Sequence, residues 1–495
     1  MRAIKPIGPT RVLFLSAEVA PLAKVGGLGD VGGALPKALE KLGVKVTLML
    51  PFYGIIDRKK YGTKKVVSGL RIPLENRCEK ADIYAAALPS SRIKVYLVKS
   101  KFFDGKNIYL GGRIAKGDHY TRCYDDIMRF TFFSKAVLEA TKKLRLKYEI
   151  IHVNDWHTAI ISDLIKTAYK NDEYFKKVKT VYTIHNLANQ GIAKPKIIGY
   201  AKLDPDLPII KRDLKDGAVN FMAQGILGSD VVNTVSPTYA KEILTHIQGA
   251  GLDNILAKRK KDLYGILNGI DTDFFDPQKD KYIYRNYTPK NLAEKSDNKI
   301  FLQKKLGLPA DRNIALVGLV SRLVWQKGIE LAAEATGFFA KKNKGCQFVF
   351  LGSGDKKYER QLLALAKKYH GNVRTILGFD IKLAQEIYAG ADIFLMPSRF
   401  EPCGLGQMIA MRYGTIPLAR ATGGLKDTVN SKVGFSFKPY RANELIKTLE
   451  KAVQLYYDSP KKWKELQISG MNKDFSWNKS AKEYIRLYKK LTVDH

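Results

Sequence analysis

A chain of 495 residues is too long for one ordinary hydrophobic core, so length alone predicts two or three domains that need no covalent staple. Its 84 Lys plus Arg stand against 48 Asp plus Glu, a formal net charge of +36 that attracts anions such as nucleotides but is spread along the whole chain. The four cysteines, Cys78, Cys123, Cys346 and Cys403, show no close-pair spacing, which argues against a disulfide framework or thiolate metal site and for a reducing cytoplasm.

The first apolar run, Val12 to Leu15, is soon interrupted by Glu18, too short for a secretory signal, and reads as a strand. No stretch approaches the roughly 18 uncharged apolar residues of a membrane span, so a soluble, cytoplasmic protein without a membrane partner is expected. The basic clusters at Lys258 to Lys261 and Lys461 to Lys464 are modest and read as solvated surface, which argues against a nucleic-acid partner despite the charge.

Short β-branched runs alternate with longer amphipathic segments, the pattern of strand-helix-strand units in an α/β fold. Strands are predicted at Arg11 to Ser16, Lys45 to Leu50, Lys94 to Val98, Ile150 to Val153, Lys179 to Ile184 and Val231 to Val235. A helix over Asp30 to Leu42 follows from Val31, Leu35, Leu39 and Leu42 at helical spacing. Residues 1–277 read as a first domain, and the polar, lysine-rich stretch 278–299 reads as a linker. A second series over 300–470 has strands at Ile314 to Val320, Gln347 to Leu351, Val373 to Leu377 and Ile393 to Met396, with weaker ones near Ile416 and Phe435. Its helices run from Gly328 to Lys341, Lys356 to Lys368 and Leu383 to Tyr388, and the helical segment 471–495 is expected to return to the first domain. Two Rossmann-like halves facing across a cleft are the economical architecture.

Ligands of doubly wound sheets bind beyond the carboxyl ends of the strands, which singles out five places. Lys24-Val-Gly-Gly-Leu-Gly-Asp30 precedes a helix and reads either as a tight turn or as a phosphate cradle of backbone amides. His152-Val-Asn-Asp155-Trp-His157 follows a buried strand; it lacks a third metal ligand, so sugar contact is preferred to metal. Thr183-Ile-His185-Asn186 is again a strand end, where a buried, satisfied histidine is the ordinary alternative. Ser321-Arg322 through Lys327-Gly328 brings two cations ahead of a helix, suited to a diphosphate or to a surface ion pair. Pro397-Ser-Arg-Phe-Glu401-Pro-Cys-Gly-Leu405 places a lone acid between a strand and a glycine-entered helix.

These motifs, together with Thr234-Val-Ser-Pro-Thr238, Leu267-Asn-Gly-Ile-Asp271 and Thr422-Gly-Gly-Leu425, occur in an order that resembles the bacterial glycogen synthase and plant starch synthase family along nearly the whole chain. The resemblance implies a GT-B fold and transfer of glucose, with retention, from ADP-glucose to the non-reducing end of an α-1,4-glucan such as glycogen, with no metal or other cofactor. It further implies that Lys24, Gly26 and Gly27 meet the donor phosphates, and that Asp30, Asp155, His185 and Asn268 line the sugar. Arg322 and Lys327 would neutralise the departing diphosphate, and Glu401 would hold the glucosyl ring. Phe379 would stack on adenine, while Cys403, Gly404, Leu405, Thr422 and Gly423 would complete the donor site. The catalytic set expected on this basis is Glu401, His185, Arg322, Lys327 and Asp155.

Two departures qualify the carry-over. Ile409 stands where many retaining transferases of this architecture have a second Glu, and Asn189 replaces an aromatic or His after His-Asn-Leu-Ala. Retaining hydrolases use two carboxyl groups roughly 5 Å apart, whereas one acid stands out here, so front-face substitution is expected. The competing readings are a UDP-glucose-dependent transferase with another acceptor, a polyanion-binding protein on a transferase scaffold, and a phosphorylase.

Overall fold

The computed structural model describes residues 10–75, 77–110, 119–342 and 345–492. Val12, Leu13, Phe14 and Leu15 are wholly inaccessible to solvent, as befits a strand buried on both faces of a parallel sheet. That strand, β1 (Arg11–Leu15), is the centre of the first of two units, which comprises the chain to Val235, Ala240–Gly269 and the residues from Trp477. The other strands of this unit are β2 (Lys45–Pro51), β3 (Lys64–Leu74), β4 (Arg77–Ala87), β5 (Lys94–Lys99), β6 (Ile150–Asn154), β7 (Lys179–Ile184), β8 (Ile192–Ala193), β9 (Val219–Asn220), β10 (Val231–Thr234) and β11 (Leu263–Gly265). Nine of them form one sheet in the order β11-β10-β7-β6-β1-β2-β5-β4-β3, parallel except for the antiparallel pairings of β4 with β5 and with β3 at one edge, and β8 pairs with β9 apart from it.

Strand order reverses between β1 and β6, so the loops leaving these two strands open the crevice where doubly wound sheets take ligands. The helix after β1 spans Gly27–Lys41 and begins three residues earlier than its apolar spacing suggested. Gly27 and Gly29 lie in the first turn, and in the next turn only residues without a Cβ let the helix lie this close to the preceding loop. A Cβ on Gly32 would stand 2.5 Å from Glu18 O, and one on Gly33 2.4 Å from Ala20 O. The closing helix Trp477–Thr492 packs on this helix within the same unit, and its Tyr488 hydroxyl bonds His152 Nδ1 at 2.7 Å. With Thr183 Oγ1 2.7 Å from its Nε2, His152 is a fully satisfied core histidine.

The second unit, Ser236–Tyr239 with Ile270–Ser476, holds a parallel sheet of β12 (Ala315–Val320), β13 (Cys346–Gly352), β14 (Val373–Leu377), β15 (Ile393–Met396), β16 (Ile416–Arg420) and β17 (Phe435–Phe437). Its order, β14-β13-β12-β15-β16-β17, again reverses beside the first strand of the series, between β12 and β15. The stretch 278–299, expected as a linker, is instead built into this unit. Lys295 donates to Ala389 O at 2.6 Å and to Thr415 Oγ1 at 2.8 Å, and Lys299 pairs with Asp392 at 2.6 Å, all of them buried. Burial pushes the Lys295 amine down to about 7. Lysines that look solvated in the sequence are here internal braces, each with oxygen partners.

Cys78 and Cys346 carry free thiols, and the Cys123 side chain lies outside the described residues. Among the described residues no helix is long and apolar enough to cross a membrane.

Candidate active site

In the first unit the loop after β1 is organised by a buried carboxylate. Glu18 Oε2 accepts the amides of Val25 (2.6 Å) and Gly26 (2.8 Å), and Oε1 accepts the Tyr109 hydroxyl (2.6 Å). Lys24 reaches across the same turn to Asp30 Oδ1 at 2.5 Å. With the Gly26 amide occupied, the exposed Gly27 amide at the start of the helix is a donor open to a ligand.

The loop after β6 carries Asp155, a non-glycine residue at φ +52, whose Oδ1 accepts the His185 amide at 2.7 Å. Burial raises its carboxyl to about 7, against the lowering effect of the His185 and Asn186 amides. Its oxygens are thus engaged in holding the strand end that presents His185. Burial lowers the imidazole of His185 to about 3, so the ring is neutral. Asn154 gives its Nδ2 to Leu15 O (2.9 Å), which turns Oδ1 toward His185 Nε2 (2.8 Å). Nε2 therefore bears the proton and Nδ1 remains an acceptor for a hydroxyl. His157 lies stacked against Tyr109 and edge-on to Phe130, and burial lowers it to about 3 as well. Among the described residues no cluster of three His, Cys, Asp or Glu is placed to hold a metal. Asn268 is buried, and its Oδ1 has no partner among the described residues.

In the second unit the loops after β12 and β15 are laced together. The Arg399 amide donates to Gln326 O at 2.8 Å, and Gln326 Nε2 to Phe400 O at 3.2 Å. This brings Lys327 Nζ to 2.6 Å from Glu401 Oε2, which also accepts from Ser398 Oγ at 3.0 Å. Glu401 is only 5% exposed, and both of these bonds fall on its Oε2. Gly423, at φ +46, backs this residue: a Cβ there would fall 1.9 Å from Glu401 O, and Gly424 donates its amide to the same carbonyl at 3.1 Å. Thr422, Cys403, Gly404 and Leu405 belong to this backbone frame, with Gly404 at φ +74 and Gly424 pressed against Cys403 O. Arg322 is exposed; its carbonyl accepts from the Val324 amide at 3.0 Å and from Ser321 Oγ at 3.1 Å, while its guanidinium bonds to none of the described residues, and Phe379, after Gly378 at φ +135, is 83% exposed.

The expected residues thus form three local groups: Lys24 with Asp30, Asp155 with His185, and Lys327 with Glu401. Glu18, Asn154, Ser398 and Tyr109 join them without having been singled out from sequence. Only spatial proximity marks Glu18, since one acid after a strand carries no spacing signal.

Residues 11–258 match the model of the starch synthase catalytic domain, and residues 298–467 that of glycosyl transferases group 1. A glycogen synthase of Thermotoga maritima is 45% identical over 493 residues, with 97% of this chain and 98% of the relative covered. That of Thermosipho melanesiensis is 44% identical over 488 residues, at the same coverages. The chain belongs to the glycogen/starch synthase family. Its resemblance to that family extends to structure: the catalytic domain of Arabidopsis thaliana starch synthase IV, solved with ADP and acarbose, superposes with a TM-score of 0.88 at 35% identity, covering 98% of this chain and 99% of that one. A sucrose-phosphate synthase from Thermosynechococcus elongatus, at 19% identity and a TM-score of 0.60 over 98% of this chain and 100% of that one, shares the fold alone. As a member of the glycogen/starch synthase family the chain is a glucosyltransferase of GT-B fold.

Proposed function

We propose that the protein lengthens an α-1,4-glucan by moving glucose, with retention, from ADP-glucose to the chain's non-reducing end, with no metal or other cofactor. The observation that carries this reading is the Lys327–Glu401 pair. A buried carboxylate whose Oε2 is taken by Lys327 and Ser398 keeps Oε1 for the hydroxyls of a glucosyl ring, and its charge steadies the positive ring of the transition state. Lys327 spends one of its three N–H donors on Glu401, and Arg322 spends none on the described residues. Both therefore have donors for the diphosphate, where negative charge accumulates as the C1–O bond breaks.

Within the first unit, Lys24 and the Gly27 amide suit a phosphate and His185 Nδ1 accepts from a sugar hydroxyl; within the second, Phe379 offers its exposed face to a base. Glu401 is ion-paired and Asp155 is engaged with backbone amides, so neither is placed as a free nucleophile. The reading therefore takes the front-face route: the leaving phosphate oxygen receives the proton of the incoming 4-hydroxyl as the new C1–O bond forms on the face the diphosphate leaves. The glycogen synthases among the relatives, and the ADP and acarbose held by the starch synthase IV domain, support this choice of donor and acceptor.

Nucleotide release from ADP-glucose or UDP-glucose, each with and without glycogen, tests it. Glycogen-dependent ADP release is expected. Faster release of UDP would move the donor assignment to UDP-glucose, and no release from either would overturn the reading.

A further inference from the structure

We propose that Glu18 is a positioning residue for the donor-phosphate loop, holding Lys24–Gly27 in its working conformation before any ligand arrives. The inference deepens the proposed transferase reading and rests on it. Three donors converge on this one buried carboxylate: the Val25 and Gly26 amides on Oε2 and the Tyr109 hydroxyl on Oε1. Glu18 is itself seated, since Ser16 Oγ donates to its carbonyl at 2.6 Å and accepts its amide at 3.2 Å. The helix start is moulded to it, because a Cβ on Gly29 would come 3.1 Å from Oε2 and one on Gly32 2.5 Å from its carbonyl oxygen.

A carboxylate beside a loop that receives phosphate is unfavourable by charge alone, so its place there needs a geometric reason. By occupying the Val25 and Gly26 amides it fixes the plane of the turn, which leaves the Gly27 amide and Lys24 as the groups offered to a ligand. Tyr109 locks the other oxygen and stacks on His157, with ring centroids 5.1 Å apart, which ties the loop after β1 to the segment after β6.

Glu18→Gln keeps an acceptor and the shape but loses the charge. It is expected to speed hydrogen exchange at the Val25 and Gly26 amides and to lower kcat/KM for the nucleotide sugar about tenfold, the factor of one weakened charge-assisted hydrogen bond, with KM for glycogen unchanged. Tyr109→Phe retains the carboxylate and both amide bonds. It should move both readings in the same direction by less, and it decides the matter if Glu18→Gln does not fold. Wild-type exchange at both amides in the variants would overturn the proposal. So would unchanged or improved donor use, the result expected of a carboxylate that only repels phosphate. A wild-type protein that turned over no nucleotide sugar would instead defeat the transferase reading, while the exchange measurement would still report whether Glu18 holds the loop.

Discussion

Lys327 Nζ stands 2.6 Å from Glu401 Oε2: the carboxylate is buried, and this ammonium is its one ion-pair partner among the described residues. Lys327→Ala leaves a buried, uncompensated carboxylate and is expected to cost about 3 kcal/mol of stability along with activity. The double variant Lys327→Met, Glu401→Gln should recover most of the stability and none of the turnover. Urea unfolding beside a rate assay checks this, and recovery of turnover would show that the pair is structural.

Lys24 and Asp30 are both partly solvated, and an exposed pair of this kind contributes about 1 kcal/mol or less. Lys24→Ala is therefore expected to fold normally and to lose donor use at least about a hundredfold, as two lost charge-assisted phosphate contacts require. Comparable losses in stability and in kcat/KM would make the loop a structural turn only.

Two kinds of glycine separate in the same way. Gly328, at φ +65, would bring a Cβ within 2.1 Å of Pro397 O, so Gly328→Ala combines backbone strain with displacement of the segment that carries Glu401. A cost of about 2 to 4 kcal/mol is expected, with a lowered kcat. A Cβ on Gly27 meets nothing within 4 Å. Gly27→Ala should keep the wild-type unfolding midpoint and raise the donor KM, because the added methyl intrudes on the ligand's side alone. Equal donor KM values for Gly27→Ala and wild type would contradict the placement of a phosphate there.

Burial lowers His152, His157 and His185 from 6.5 to about 3. The unfolded chain takes up protons on these rings as pH falls below 6.5 while the folded one does not, so each removes stability across the window from 6.5 down to about 3. Asp155, raised from 3.8 to about 7, runs the other way: its contribution is full below 3.8 and is lost as pH rises through 7. The three imidazole resonances should stay at their neutral positions from pH 8 to 5, and the rate profile should show no acid limb that His185→Gln abolishes. Titration of His185 near 6.5 would contradict its assignment as a neutral acceptor.

The sequence announces the central strands because they are buried on both faces and so read as unbroken apolar runs, Val12 to Leu15 and Ile393 to Met396 among them. The hairpin of β3 and β4 escapes such a reading. It lies at the sheet edge with alternate residues solvated, and its charged residues and the register shifts between Lys65 and Leu70 break the period of two. The site motifs are legible as strand ends, yet their division of labour is not. Asp155 reads from sequence as a sugar contact, while its φ of +52 and its bond to the His185 amide become visible only in the fold. Glu18 becomes visible only when Val25, Gly26 and Tyr109 fold onto it.

The most direct test of the central claim follows the glucose itself. Protein is incubated with ADP-glucose labelled in its glucosyl group and with glycogen, and the polymer is then digested with an exo-acting β-amylase. The account predicts label in the polymer that is released as maltose, with none transferred by Glu401→Ala. Label that stays as free glucose, or that enters the polymer in β-amylase-resistant form, would contradict transfer to the non-reducing end of an α-1,4-glucan.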